Sequence, residues 1–366
     1  GKMSCASCHS PEHAFGPADG LAVQAGGVDL HQPGRRAVPS LMYLQDVPQF
    51  TEHYFENEDE ADESIDNGPT GGLTWDGRVD RGADQARIPL LSSFEMANRS
   101  PDAVVAMVRS ATYADEMRRV FGSNLFGNVT QTFAAVLKCL EVFEQDYRTF
   151  YPYSSKYDAW LSGRAELTPR EARGLAAFKD PQKGNCSHCH ISERGLDGTP
   201  PQFTDYGLIA LGVPRNPTIP ANAEPNFYDL GMCGPDRTDM RDHPDYCGRF
   251  MTPTLRNVAT RHVFFHNGVF HTLREVVVFY AERDTNPAKW YPRASDGNIH
   301  KYDDLPARYQ SNVNVEPPFD RQRGDKPALS STDVEDIIAS LQILTDGYSG
   351  EASSVESGRR TAQFRH

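Results

Sequence analysis

The chain has 366 residues, enough for two domains of ordinary size, and a formal net charge of −13. That acidity excludes a nucleic-acid partner, because phosphate binding needs a basic face. No apolar run approaches the ~20 residues of a membrane helix, the longest lying around Gly207–Val213 and Val276–Ala281, so no transmembrane segment is expected.

The first informative element is Cys5-Ala-Ser-Cys8-His9, and the same pattern returns as Cys186-Ser-His-Cys189-His190. Cys-x-x-Cys-His is the attachment signature of a c-type haem: two thiols add to the porphyrin vinyl groups and the imidazole becomes the proximal iron ligand. A zinc site needs a second ligand pair close by, and dithiol redox pairs rarely carry His directly after the second Cys. Two covalently attached haem c groups are therefore expected, on Cys5, Cys8 and His9 and on Cys186, Cys189 and His190. Covalent haem attachment belongs to the outer side of the bacterial inner membrane, so the chain is expected to be exported.

Downstream of the first motif, His13 and His31 could ligate the first iron, although each reads more simply as a loop or propionate-side residue. The acidic run Glu56–Glu63 reads as a solvated loop. Trp75, in Thr74-Trp-Asp-Gly-Arg78, is either plain core or an electron relay between haems. Gln85 and Glu95 lie in a segment that could cover the first haem, where an amide or carboxyl would assist proton movement. Ser100-Pro101 opens a helix through about Arg109. Phe133, Val136, Leu137, Leu140 and Phe143 then mark one buried helical face, with Cys139 as a buried free thiol.

Tyr151–Gly163 reads as a linker between an N-terminal domain, 1–152, and a C-terminal domain, 153–348. Thr168-Pro-Arg-Glu171 is a capping box with Pro at the first helical position, and a helix over Pro169–Phe178 leads into the second haem motif. Only four residues precede Cys5, so the corresponding leading helix of the first domain is expected to be missing. Long Pro/Gly-rich loops from Gly195 to Pro253 suit a wrap around a cofactor. Within them Cys233 and Cys247 flank a turn-rich loop and could close a disulfide in an oxidising compartment.

Thr272-Leu-Arg-Glu275 is a second capping box, with Val276, Val277 and Tyr280 on the face of Leu273. Thr332-Asp-Val-Glu335 is a third, with Ile337, Ile338 and Leu341 behind it. The polar tail 349–366 lacks apolar periodicity and is expected to be disordered. Strand patterns are few, so the fold class is mainly α: two cytochrome c-like domains, each with one covalent haem, and long irregular loops. For the second iron's other axial position, Tyr280 and Met251 compete. Methionine raises a haem's reduction potential and phenolate lowers it, and spacing leaves the choice open.

Several segments together resemble the bacterial dihaem cytochrome c peroxidase superfamily, and within it the MauG-like branch. They are Cys8-His-Ser-Pro-Glu-His-Ala-Phe15, Thr74-Trp-Asp-Gly-Arg78, the spacing of Gln85, Pro89 and Glu95 from Trp75, Pro253-Thr-Leu-Arg-Asn257, Phe265-His-Asn-Gly268 and Leu273-Arg-Glu-Val-Val-Val-Phe-Tyr280. The resemblance implies that the first haem meets hydrogen peroxide, with Gln85, Pro89 and Glu95 in its distal pocket. It implies that Tyr280 is the distal ligand of the second haem, Trp75 the bridge between haems and Arg256 a propionate partner. Cys233 and Cys247 become the disulfide pair of a subgroup with Cys-Gly-Pro.

The implied activity is peroxide-driven formation of a high-valent state shared by both haems, followed by long-range oxidation of a Trp or Tyr in a periplasmic partner protein. The alternative is a cytochrome c peroxidase that reduces peroxide to water with electrons from a small redox protein. A non-enzymatic electron-transfer module would require both irons to be six-coordinate. One departure concerns calcium. The family commonly has Asn-Ala-Pro where this chain has Ala37-Val38-Pro39, so an inter-haem calcium would rely on backbone carbonyls and water.

Overall fold

The computed structural model describes residues 2–54, 66–195 and 197–350. The acidic run 56–63 and the tail from 351 lie outside the described residues. What is described is mainly helical, with two antiparallel pairs of two-residue strands: β1 (Ala25–Gly26) with β2 (Gln32–Pro33), and β3 (Leu208–Ile209) with β4 (Phe250–Met251). The helices are α1 (Gly82–Leu91), α2 (Pro101–Arg109), α3 (Ala114–Phe121), α4 (Val129–Glu144), α5 (Tyr147–Phe150), α6 (Lys156–Leu161), α7 (Pro169–Lys179), α8 (Leu273–Glu282) and α9 (Ser331–Gln342). Among the described residues no helix is long and apolar enough to cross a membrane.

Helix starts follow side-chain capping. Ser100 caps α2 with Pro101 at its first position, and Thr168–Glu171 and Thr272–Glu275 close reciprocal boxes on α7 and α8. α9 begins earlier than Thr332 suggests. Two overlapping patterns compete there, and Ser330 with Asp333 forms the box, leaving Thr332 inside the helix. The segment read as a linker is also different. Ser155 and Asp158 box the start of α6, and Tyr157 sits in the core at 1 % exposure. A short element with one fully buried aromatic has too little periodicity to show in sequence.

Two hydrophobic clusters organise the molecule. One joins α1, α2 and α4 through Val104, Val105, Phe133 and Leu137. The larger joins α7, α8 and α9 through Phe178, Phe203, Phe279, Ile337 and Leu341. A third, small cluster surrounds Cys233 and Cys247, which are disulfide-bonded with a Cα–Cα distance of 5.0 Å.

α7 crosses α9 so closely that a Cβ on Gly174 would lie 1.8 Å from the Asp336 carbonyl oxygen. Gly174→Ala should therefore destabilise the protein by at least ~1–3 kcal/mol, the usual cost of overpacking, read as a lower urea midpoint. α4 packs on α1 and α2, but no described helix crosses its other side as α7 crosses α9. That corrects two expectations: Phe143 is 58 % exposed, and Cys139 is exposed rather than buried.

Candidate active site

The two Cys-x-x-Cys-His segments fold alike. Each is a single 3-10 turn, Cys5–Ser7 and Cys186–His188, and in each the His N–H donates to the first cysteine's carbonyl, at 2.8 Å in both. Each imidazole is then fixed by its Nδ1. His9 Nδ1 lies 2.8 Å from the Phe15 carbonyl oxygen, and His190 Nδ1 lies 2.9 Å from that of Phe203. A carbonyl can only accept, so Nδ1 carries the proton and Nε2 keeps its lone pair. Burial lowers the pKa of both histidines, which favours the neutral ligand form. Phe15 and Phe203 both hold positive φ, 53° and 55°, a bulky residue's least favoured conformation, which turns each carbonyl onto its histidine.

Both motifs border one cavity of about 880 Å³. Its wall includes all four motif cysteines, His9, His190, Trp75, Gln85, Pro89, Glu95, Arg256, Met251 and Tyr280. Burial raises the Cys186 and Cys189 thiols to about 12, so they are held as neutral thiols. Among the described residues no group of three or more His, Cys, Asp or Glu side chains is placed to hold a metal ion.

The cavity wall suits a large apolar group carrying carboxylates. The Tyr206 hydroxyl is buried without a hydrogen-bond partner among the described residues. Among the described residues the Arg261 guanidinium donates only to the carbonyls of Val38 and Val263, at 2.9 and 3.3 Å, and burial lowers its pKa to about 10.

Arg256 is placed differently from what a propionate partner requires. It is 3 % exposed, donates bidentately to Asp158 at 3.0 Å and gives Nε–H to the Pro201 carbonyl. Burial alone would raise the Asp158 carboxyl, but Arg256 and Ser155 bring it below its ordinary value. Asp158→Ala should cost ~3–5 kcal/mol by stranding the buried guanidinium. In the unmodified protein this pair's contribution is fully present above the unfolded carboxylate value, ~3.9, and is lost as pH falls through the lower folded value. Urea titrations of both proteins across that window check the prediction.

Trp75 is held from both halves of the chain. Its Nε1–H donates to the Ala37 carbonyl at 2.7 Å, and its own carbonyl accepts from the Met251 N–H at 2.8 Å. The next residue, Asp76, is fully buried and receives Thr74 Oγ1–H, Arg36 and Arg78. Ala37 is itself buried, and its N–H is taken by the His266 carbonyl at 2.7 Å.

Gln85 and Pro89 are one helical turn apart on α1, and Glu95 follows on the turn after Ser92. That turn is pinned by β1. A Cβ on Gly26 would lie 2.5 Å from the Phe94 carbonyl oxygen, so only glycine permits the approach. Burial raises the Glu95 pKa. Sequence reasoning missed Arg261 and also Glu144, a cavity carboxyl that burial and then Glu141 raise to about 7. Neither sits in a distinctive motif. His13 borders the cavity and packs on His262, whereas His31 is exposed and does not border it.

Tyr280 and Met251 both reach the cavity, with different surroundings. Met251 packs with the Leu208, Met232 and disulfide cluster and is tied by its backbone to Trp75. Tyr280 stands among Phe265, Phe279 and Phe319, and its hydroxyl has no hydrogen-bond partner among the described residues. Burial raises its pKa, and its proximity to Cys189 and then Cys186 puts the phenol near the second motif.

Residues 1–166 match the family model described as di-haem cytochrome c peroxidase. The chain is 33 % identical to the methylamine utilization protein MauG of Paracoccus denitrificans, over 76 % of this chain and 69 % of that protein. It is 24 % identical to cytochrome-c peroxidase IdrP2 of Denitromonas iodatirespirans, over 82 % and 73 %. The crystal structure of the diheme peroxidase BthA from Burkholderia thailandensis superposes with a TM-score of 0.81 at 37 % identity, covering 94 % of this chain and 81 % of that one. With its repeated motif turns bordering one cavity, the chain thus belongs to the di-haem cytochrome c peroxidase family, a haem-dependent, peroxidase-type oxidoreductase with two haem cofactors.

Proposed function

We propose that this chain carries two haems covalently bound through Cys5 and Cys8 and through Cys186 and Cys189, and uses hydrogen peroxide to oxidise an exported partner protein at a Trp or Tyr. The observation that carries the reading is Tyr280: a half-buried phenol whose hydroxyl has no hydrogen-bond partner among the described residues, on the wall of the cavity that His190 borders. To act as a phenolate it would need a cationic centre beside its oxygen, and a ferric iron held by His190 would supply one. When bound, the haems supply peroxide reduction and storage of its two oxidising equivalents.

The chain's own residues divide the remaining work. His9 and His190 present Nε2 in a fixed tautomer. Glu95 takes and returns the peroxide proton, Gln85 orients it, and Pro89 keeps the α1 face free of a ligating side chain. Trp75, fastened to Ala37 on one side and Met251 on the other, offers an indole between the two halves. Arg261 pairs with a haem carboxylate.

The test is stoichiometric peroxide added to the ferric holoprotein without any donor. A high-spin ferric signal and a long-lived oxidised optical form are expected; an all-low-spin protein inert to peroxide refutes the proposal. The similarity to a cytochrome-c peroxidase over 82 % of the chain favours a second reading, peroxide removal with electrons from a small redox protein. Rapid multiple turnover with a reduced small cytochrome, and no modified partner, would select it.

A further inference from the structure

Beside the haem cavity, three aromatic or cationic side chains, Tyr43, Tyr153 and Arg256, form a cluster that the proposed chemistry leaves unused. Tyr43 borders the cavity and is 1 % exposed. Its hydroxyl donates to the carboxylate of Asp346, at 2.8 and 2.9 Å to the two oxygens. Its ring meets Tyr153 edge-on, with centroids 5.2 Å apart. Tyr153 is only half-buried, and its hydroxyl lies 3.3 Å from an Asp46 oxygen while Gln45 and Gln202 donate to it. The Arg256 guanidinium lies over both rings, 4.8 Å from Tyr43 and 4.6 Å from Tyr153. Both tyrosines hold positive φ, 59° and 47°, a conformation bulky residues rarely adopt and one that clusters at functional sites.

We propose that Tyr43 and Tyr153 form a proton-coupled relay that carries an oxidising equivalent from the haem cavity to the protein surface. The inference rests on the peroxide-dependent reading above. A cation over each ring opposes a cation radical, so electron loss must be accompanied by proton loss. Each tyrosine has a carboxylate placed to take that proton. Tyr206 also borders the cavity, but among the described residues its hydroxyl has no hydrogen-bond partner to serve as a base.

The oxidant is hydrogen peroxide, reduced in the cavity to two waters with two electrons and two protons drawn from solvent. Tyr43 gives one electron to the oxidised cofactor, its O–H bond breaks, and the proton passes to Asp346. Tyr153 next gives one electron to the Tyr43 radical, which takes its proton back from Asp346, while the Tyr153 proton moves to Asp46. An electron from an outside donor restores Tyr153, its proton returning from Asp46. Two passages consume the two equivalents of one peroxide. Tyr43–Asp346 also ties the two halves together through Ser154 and Asn257, which bond the same carboxylate, so a purely structural role is the competing account.

The experiment mixes the haem-loaded full chain with one equivalent of peroxide and follows haem absorbance alongside freeze-quench electron paramagnetic resonance. The wild type should show a tyrosyl signal growing as the oxidised haem spectrum decays. Spin trapping with peptide mass spectrometry should place the adduct on Tyr153. Tyr43→Phe should lose the Tyr153 adduct and slow the decay by about a hundredfold, the scale of a lost acid–base step. Tyr153→Phe, more exposed and less exposed to misfolding, should keep a tyrosyl signal but lose the surface adduct. Haems that oxidise and decay alike in wild type and Tyr43→Phe, or a wild-type adduct elsewhere than Tyr153, overturn the relay while leaving the peroxide reading intact. Haems that never respond overturn both.

Discussion

Tyr280→Phe should leave the protein folded and haem-loaded but shorten the lifetime of its peroxide-generated oxidised form at least ~10²-fold, equivalent to ~2.7 kcal/mol at 1.36 kcal/mol per decade. The ring is kept, so contacts with Phe265, Phe279 and Phe319 persist, and the deleted oxygen has no protein partner to strand. Stability should therefore stay within ~0.5–1 kcal/mol of wild type by urea melting. What would be lost, on the proposed reading, is the phenol oxygen that Tyr280 would offer to an iron held by His190, and with it the preference for oxidised iron. Tyr280→Met should act in the same direction and raise the second haem's reduction potential, since a thioether stabilises the reduced state. Stopped-flow absorbance with a potentiometric titration decides the matter, and an unchanged lifetime in both variants removes Tyr280 from the ligand set.

Three helix starts were legible in the sequence, because each rests on a local and named interaction. Ser100-Pro101, Thr168–Glu171 and Thr272–Glu275 are contained within four residues, and the structure uses each as written. Where two such patterns overlap, as at Ser330 and Thr332, the sequence holds no term that ranks them. The exposure of Phe143 was illegible for a different reason. Apolar periodicity reports which face of α4 could be buried, whereas burial depends on whether another helix lies across it. At the site, the motifs named the haem cysteines and histidines, but what fixes those histidines is backbone: carbonyls of Phe15 and Phe203 turned by positive φ. Arg256 and Arg261 show the same limit. Both are arginines in the same stretch, and only three-dimensional pairing shows that Asp158 occupies one and leaves the other without an acid.

The asymmetry between the two halves also has a structural basis. The second half places an aromatic cage and a phenol at its motif, built on α8 by the i, i+3, i+7 spacing of Leu273, Val276 and Tyr280. The first half places an amide, a proline and a carboxyl at the cavity, on α1 and the turn after it. On the proposed reading the phenol would close one iron, while Gln85 and Pro89 on α1 would leave room for a small oxidant at the other. Trp75 is gripped by both halves, so a shift in either would move it; that coupling is mechanical before it is electronic.

Replacing Glu95 with Gln should slow the reaction with peroxide by about 10²–10⁴-fold, the range for losing a positioned acid–base group. The geometry confines the effect to proton transfer, because Gln is nearly isosteric and the turn is held by backbone, with Gly27 N–H donating to the Glu95 carbonyl at 2.7 Å. The sign of the pH dependence follows from burial. Burial raises the Glu95 pKa, so the carboxylate needed to accept the peroxide proton is depleted at a higher pH than for an exposed glutamate. The wild-type rate should therefore fall as pH drops through that raised value, and the Glu95→Gln rate should be low and flat over the same range. Gly26→Ala separates position from chemistry. Its Cβ would press on the Phe94 and Glu95 carbonyls and displace the carboxyl, lowering the rate while keeping the acid limb. Stopped-flow rates across pH for the three proteins provide the measurement. A Glu95→Gln profile that keeps the acid limb would assign the limb to another cavity carboxyl, and Glu144 is the one the structure offers.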